Sequence, residues 1–120
     1  MSVAEPNVQT ILLGDAIERA PAAVFVADEN GRYIAANAYA CEMLGYDREE
    51  LLALRVTDVA VNEEAAADYE RMKRSGIHTG VTVLRCKDGS HLTMHFRAGE
   101  TTVGGMQLYI GVCWPVESAG

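Results

Sequence analysis

The residues with most chemistry to offer are three histidines, three cysteines and a scatter of tyrosines and acids, and their spacing decides what they can do. His91 and His95 share one strand face with Thr93 between them, a spacing from which two imidazoles could hold a metal. No carboxylate or thiol is placed beside them to complete a ligand set, so they read as surface histidines, and His78 reads as a loop residue. Cys41, Cys86 and Cys113 are widely spaced, without a Cys-x-x-Cys pair or a histidine at zinc spacing, and read as buried thiols of a reducing compartment. Glu63 and Glu64 open a helix, where carboxylates complement the positive dipole end and need not form an acid–base pair. Tyr39, Tyr46 and Tyr109 could each offer a hydroxyl to the polar end of a ligand, although buried tyrosines usually bond to backbone. There is no Ser-His-Asp constellation, nucleophile elbow or phosphate loop, so neither a catalytic residue nor a metal site is expected. The alternative, a small enzyme using Tyr39 or Tyr109 with a buried acid in an apolar pocket, lacks an acid on an inward face.

The frame that positions these groups is a single domain: 120 residues, 49% of them hydrophobic, can bury a core without disulfides or metals. A net charge of -7 disfavours nucleic acid and anionic membrane surfaces as partners. No apolar run reaches the roughly 18 residues of a membrane span, and Met1 to Gln9 lacks the basic start of a secretory signal. A cytoplasmic protein is expected.

Val8, Ile11, Leu12, Ala16 and Ile17 recur at threes and fours, which predicts an amphipathic helix from Val8 to Ala20 that Pro21 stops. Gly14 weakens it by about 1 kcal/mol relative to alanine. Ala22 to Ala27, the turn Asp28-Glu29-Asn30-Gly31 and Arg32 to Ala36 form a hairpin. Asn37 caps a short helix through Leu44, closed by Gly45, and Asp47-Arg48-Glu49-Glu50 has the form of a capping box with Leu51, Leu52 and Leu54 packing inward. After a loop around Thr57 and Asp58, Asn62 caps a third helix that ends before Gly76. From Gly80 the residues turn β-branched and aromatic: Val81 to Cys86, a turn at Lys87-Asp88-Gly89, Ser90 to Ala98, a loop from Gly99 to Gly105, then Met106 to Trp114. The fold class is therefore α+β, with a sheet of about five antiparallel strands and short helices on one face.

The joint pattern of Asp28-x-x-Gly31, Asn37, Leu44-Gly45-Tyr46 followed by Glu49-Glu50-Leu51, Lys87-Asp88-Gly89-Ser90 and Gly111 resembles a PAS domain, the small module of signalling proteins, over Ile17 to Cys113. The resemblance implies a cap helix over residues 1–21, a PAS-like domain over 22–114 and a tail over 115–120. The later half, Asp88-Gly89-Ser90 through Met94 with Gly99-Glu100, Gly104-Gly105 and Gly111, is similar to the oxygen-sensing haem branch. Where that branch carries its haem-ligand histidine, this chain has Ala65-Ala66-Ala67, with no histidine from Asn62 to Gly76. Where flavin-binding light sensors carry a reactive cysteine, it has Leu54-Arg55-Val56-Thr57-Asp58. The resemblance thus disfavours haem and flavin and leaves the cofactor unassigned, with non-standard haem ligation through Met72 or His78 as an alternative.

Leu92, Met94, Phe96 and Ala98 alternate with His91, Thr93, His95 and Arg97, so the first set faces the helices. In the haem branch the positions matching Phe96 and Ala98 line the ligand pocket and that matching Gly111 approaches it. Period two then turns Tyr109 and Cys113 inward and leaves Met106, Leu108, Ile110, Val112 and Trp114 outside. The pocket candidates are Tyr39, Met43, Leu44, Met72, Met94, Phe96, Ala98, Tyr109 and Gly111. So apolar an outer stripe calls for cover, and family members often pack an N-terminal helix on the sheet and dimerise through both. The cap and dimer interface is expected at Ile11, Leu12, Met106, Leu108, Ile110, Val112 and Trp114. The expected function is a sensor and protein-interaction domain that takes a small apolar ligand or none and passes its signal through homodimer or partner packing. The kinase, cyclase or transcriptional output domain is expected to be absent from this chain, which reads Trp114-Pro115-Val116-Glu117-Ser118 where the family has an Asp-Ile-Thr-like coupling motif.

Overall fold

The computed structural model describes residues 2–61, 70 and 74–116. Helix α1 (Pro6–Glu18) is followed by β1 (Ala23–Ala27), β2 (Tyr33–Ala36), α2 (Ala38–Leu44), α3 (Arg48–Leu51), α4 (Val56–Val59), β3 (Ile77–Arg85), β4 (His91–Val103) and β5 (Met106–Pro115). The strands form one antiparallel sheet in the order β2-β1-β5-β4-β3. Of the expected third helix, Glu70, Arg74 and Ser75 are helical, while Asn62, Glu63, Glu64, the Ala65 stretch and Met72 lie outside the described residues.

Local chemistry accounts for the punctuation. The Asp28 carboxylate accepts from the amides of Asn30 and Arg32 at 2.9 and 3.0 Å, and Gly31 takes a φ of 78° to close the β1–β2 turn. Asn37 caps α2, and Gly45 ends it with a φ of 80°. Asp47 and Glu50 form the capping box at the start of α3. The expected loop at Thr57 and Asp58 is instead the single turn of α4, because the Asp58 carboxylate accepts from the Arg55 amide at 2.9 Å and stabilises a helical start.

Two strands run further than expected. β3 begins at Ile77, so His78 is a strand residue and not a loop residue; Ile77 and Thr79 are β-branched and continue the ladder opposite Gly99 and Arg97. The expected loop from Gly99 to Gly105 is mostly strand, since Thr101, Thr102 and Val103 pair with Leu108, Gln107 and Met106. Gly104 and Gly105, both at positive φ, make the reversal between them.

The core lies between the inner sheet face and the short helices. Leu44, Leu51, Val59 and Met94 are its largest fully buried side chains, joined by Phe25, Tyr33, Leu84 and Phe96. The expected packing of α1 on the sheet is not observed. α1 buries no residue, and Ile11, Leu12, Leu13 and Ile17 remain exposed. Its C-terminal end is tied down by polar contacts instead: the Ile17 carbonyl accepts from Asn37, and Glu18 pairs with Arg48 at 2.5 Å.

Candidate functional site

A cavity of about 120 Å³ opens between the inner sheet face and the α4 segment, lined almost wholly by apolar atoms. Its described walls are Phe25 and Ala27 from β1, Tyr33 from β2, Val56 from α4 and Ala60 just after it, Thr82 and Leu84 from β3, Phe96 and Ala98 from β4, and Tyr109, Ile110, Gly111 and Cys113 from β5. None of these described lining residues is charged.

Each wall is placed by a local constraint. The register pairs Phe25 with Gly111 and Gly111 with Ala98, so a side chain, a hydrogen and a methyl lie in a row across the sheet centre. A Cβ on Gly111 would find no heavy atom within 4 Å, so the glycine leaves the cavity open where a side chain would project. Gly80 acts differently: a Cβ there would stand 3.1 Å from the Phe96 ring, so its absence lets that ring lie over β3. The α4 segment is held against β2 and β3 by backbone bonds, from Val56 to the Gly31 carbonyl at 2.8 Å, from Tyr33 to Leu54 at 3.1 Å and from Val61 to Val83 at 3.0 Å. These bonds bring Val56 and Ala60 to the cavity.

The polar groups on the cavity are few. Tyr33 is buried, with its ring 5.3 Å from that of Phe25, and burial, with smaller effects from Cys113 and Asp58, holds its phenol above the usual range. Burial also pushes the Cys113 thiol up to about 12, so at neutral pH it is protonated and a poor nucleophile. Both groups are acids whose neutral form the fold favours. Above the ordinary thiol value of 9.0 the unfolded chain releases the Cys113 proton while the folded chain keeps it, so stability falls as pH rises from about 9 toward 12. Urea unfolding should show a loss of at most about 1.4 kcal/mol per pH unit from this group, and Cys113→Ala should flatten that slope; an unchanged slope in the variant would assign the loss elsewhere.

Of the expected pocket residues, Phe96, Ala98, Tyr109 and Gly111 line the cavity. Tyr39, Met43, Leu44 and Met94 do not: Leu44 and Met94 are packed solid in the core, and Tyr39 and Met43 lean on it half-buried. The reason is the seat of α2, whose end is bonded to the β3–β4 turn through Lys87 N–H to the Leu44 carbonyl at 2.8 Å, beside Cys86. Met72 lies outside the described residues. Phe25, Ala27, Tyr33, Val56, Ala60, Thr82 and Leu84 were not expected there. For Phe25 and Ala27, and for Thr82 and Leu84, the available signal was strand alternation applied to β1 and β3 as it was to β4.

On the opposite face Met106, Ile110 and Trp114 are exposed, Val112 is half-buried and Leu108 is buried. Ile110 is exposed and also reaches the cavity rim. Trp114 stacks on its cross-strand partner His95 with ring centroids 5.7 Å apart. Among the described residues no group of three or more His, Cys, Asp or Glu side chains could hold a metal, and no helix is long and apolar enough to cross a membrane.

A family model described as PAS domain matches residues 21–113. No curated protein matches the chain. Among solved structures, a PAS domain from a two-component sensor histidine kinase superposes with a TM-score of 0.82 at 19% identity, covering 93% of this chain and 100% of that one. A domain of a sensory box sensor histidine kinase/response regulator from Geobacter sulfurreducens gives 0.79 at 23% identity, covering 93% and 98%. The PAS domain of an HTR-like protein from Haloarcula marismortui gives 0.80 at 17% identity, covering 92% and 93%. At such identities the likeness speaks to the fold.

Proposed function

The chain belongs to the PAS domain family, and from that premise we propose that it is a non-catalytic sensor and interaction module of a signalling system, working in the cytoplasm. The observation that carries the reading is the apolar cavity whose wall is also the sheet's exposed face. β5 presents Tyr109, Gly111 and Cys113 to the cavity and Trp114 to the outside, while Ile110 borders both. A guest that binds one arrangement of β5 better than another shifts the outer face by the difference in affinity.

The output surface in this reading is a homodimer interface. Ile11, Leu12, Leu13 and Ile17 on α1 and Met106, Ile110 and Trp114 on the sheet are large apolar groups left in water, and pairing two copies removes them from it. Sedimentation should find a dimer at micromolar concentration, with Leu12→Asp and Trp114→Ala each weakening it by tenfold or more. A clean monomer at high micromolar concentration would sink the dimer.

Haem and flavin fit the cavity poorly. Drug-sized ligands occupy pockets of about 300–1,000 Å³, against about 120 Å³ here, and His78 stands beside Phe96 at 5.5 Å and is not among the cavity walls. The guest of this module is smaller than either cofactor.

A further inference from the structure

On the reading that the cavity takes a ligand, we propose that this ligand is a neutral molecule of one aromatic ring, bearing one oxygen that accepts a hydrogen bond from the Tyr33 hydroxyl. Size comes first. An apolar cavity of about 150 Å³ takes up a benzene, so about 120 Å³ sets the guest at a single ring. Charge comes second. No described lining residue carries a charge, and a carboxylate or ammonium moved into such a site loses its hydration without a partner.

Shape and polarity complete the description. Phe25, Tyr33, Phe96 and Tyr109 bring aromatic walls to the cavity, while Ala98 and Gly111 leave the room between them. Rings surrounded by rings gain from offset and edge-to-face contacts beyond area alone. Tyr33 is 5% exposed, and its hydroxyl has no hydrogen-bond partner among the described residues. A buried donor left unmade is costly, and a guest oxygen relieves that cost. Thr82 and Tyr109 also reach the cavity, but each already has an interaction of its own.

The test is a protein-observed NMR titration of the full chain with phenol, toluene, benzoate and 1-naphthol, repeated on Tyr33→Phe and Gly111→Val. Phenol is expected to bind saturably and to move the amides of β1 and β5. Tyr33→Phe should weaken phenol about tenfold, the scale of one hydrogen bond, and leave toluene unchanged. Benzoate and 1-naphthol should bind at least tenfold more weakly than phenol. Gly111→Val, which adds its side chain to open space, should abolish binding while the spectrum stays folded. Benzoate or 1-naphthol binding as tightly as phenol would overturn the proposal, as would a Tyr33→Phe variant indifferent to phenol. If that binding is still blocked by Gly111→Val, the cavity remains a ligand site of another chemistry. No saturable binding of any probe at millimolar concentration overturns both the ligand class and the cavity's sensory role. The size and charge arms need only the unmodified chain, so they decide even if Tyr33→Phe does not fold.

Discussion

Asn37→Ala is expected to lower the unfolding free energy by about 3 kcal/mol, read as a drop in urea midpoint with the slope unchanged. Asn37 is 4% exposed and uses its whole amide. Its Oδ1 accepts from the Val24 and Ala40 amides at 3.0 and 3.1 Å, and its Nδ2 donates to the Ile17 and Ala22 carbonyls at 2.8 and 2.9 Å. One side chain thereby caps α2, fixes the start of β1 and ties down the end of α1. Alanine leaves two donors and two acceptors of the backbone without their partner in a place water reaches poorly, and each such group costs about 1–3 kcal/mol when wholly buried. Partial rehydration at the Ile17 end keeps the total well below the sum. Asn37→Asp separates the roles: it retains both accepted bonds but sets a carboxylate oxygen against two carbonyls. It should be as destabilised as the alanine variant at neutral pH and recover in part when acid protonates it. A loss below 1 kcal/mol in Asn37→Ala would mean that the network is not holding these elements together.

The second large effect is expected for Leu44→Ala, at about 3 kcal/mol within the 2–5 kcal/mol span of such truncations. Leu44 is fully buried at the end of α2, in the core cluster that also holds Leu51, Cys86 and Met94. The backbone bond from Lys87 holds the site open, so neighbours collapse poorly into the void. Leu44 is not among the cavity walls, so binding of a cavity guest should be unchanged while the protein is folded. Altered guest affinity without a change in midpoint would place Leu44 on the ligand path after all.

These two residues also mark how far the chain could be read. Asn37, Gly45 and the Asp47 capping box are local devices, decided by contacts within a few residues, and the sequence names them directly. The inward set Phe96, Ala98, Tyr109 and Gly111 was legible because strand periodicity is a local rule as well. What was not legible depends on where α2 sits. The bonds of Asn37 to Ala22 and Val24 and of Lys87 to Leu44 seat it over one end of the sheet. Leu44 therefore plugs the core, and the cavity forms beside Val56 and Ala60. α1 is present as its spacing predicts, but that spacing identifies an apolar stripe and not the surface that meets it, and within one chain α1 does not pack on the sheet. The β4–β5 reversal was placed too broadly because Thr101, Thr102 and Val103 were grouped with the glycines beside them.

The strand order β2-β1-β5-β4-β3 puts the last strand to be synthesised in the middle of the sheet. Until Met106–Pro115 has left the ribosome, the hairpin of β1 and β2 and the hairpin of β3 and the first part of β4 have no common neighbour. At about 5–20 residues per second the first hairpin waits several seconds with a bare strand edge. During that interval Val24 and Val26 stand on an edge that another nascent chain can pair with. β5 then closes both halves at once, joining Ala27 to Tyr109 and Phe96 to Cys113. The strand that walls the cavity is thus also the one that joins the two halves of the sheet.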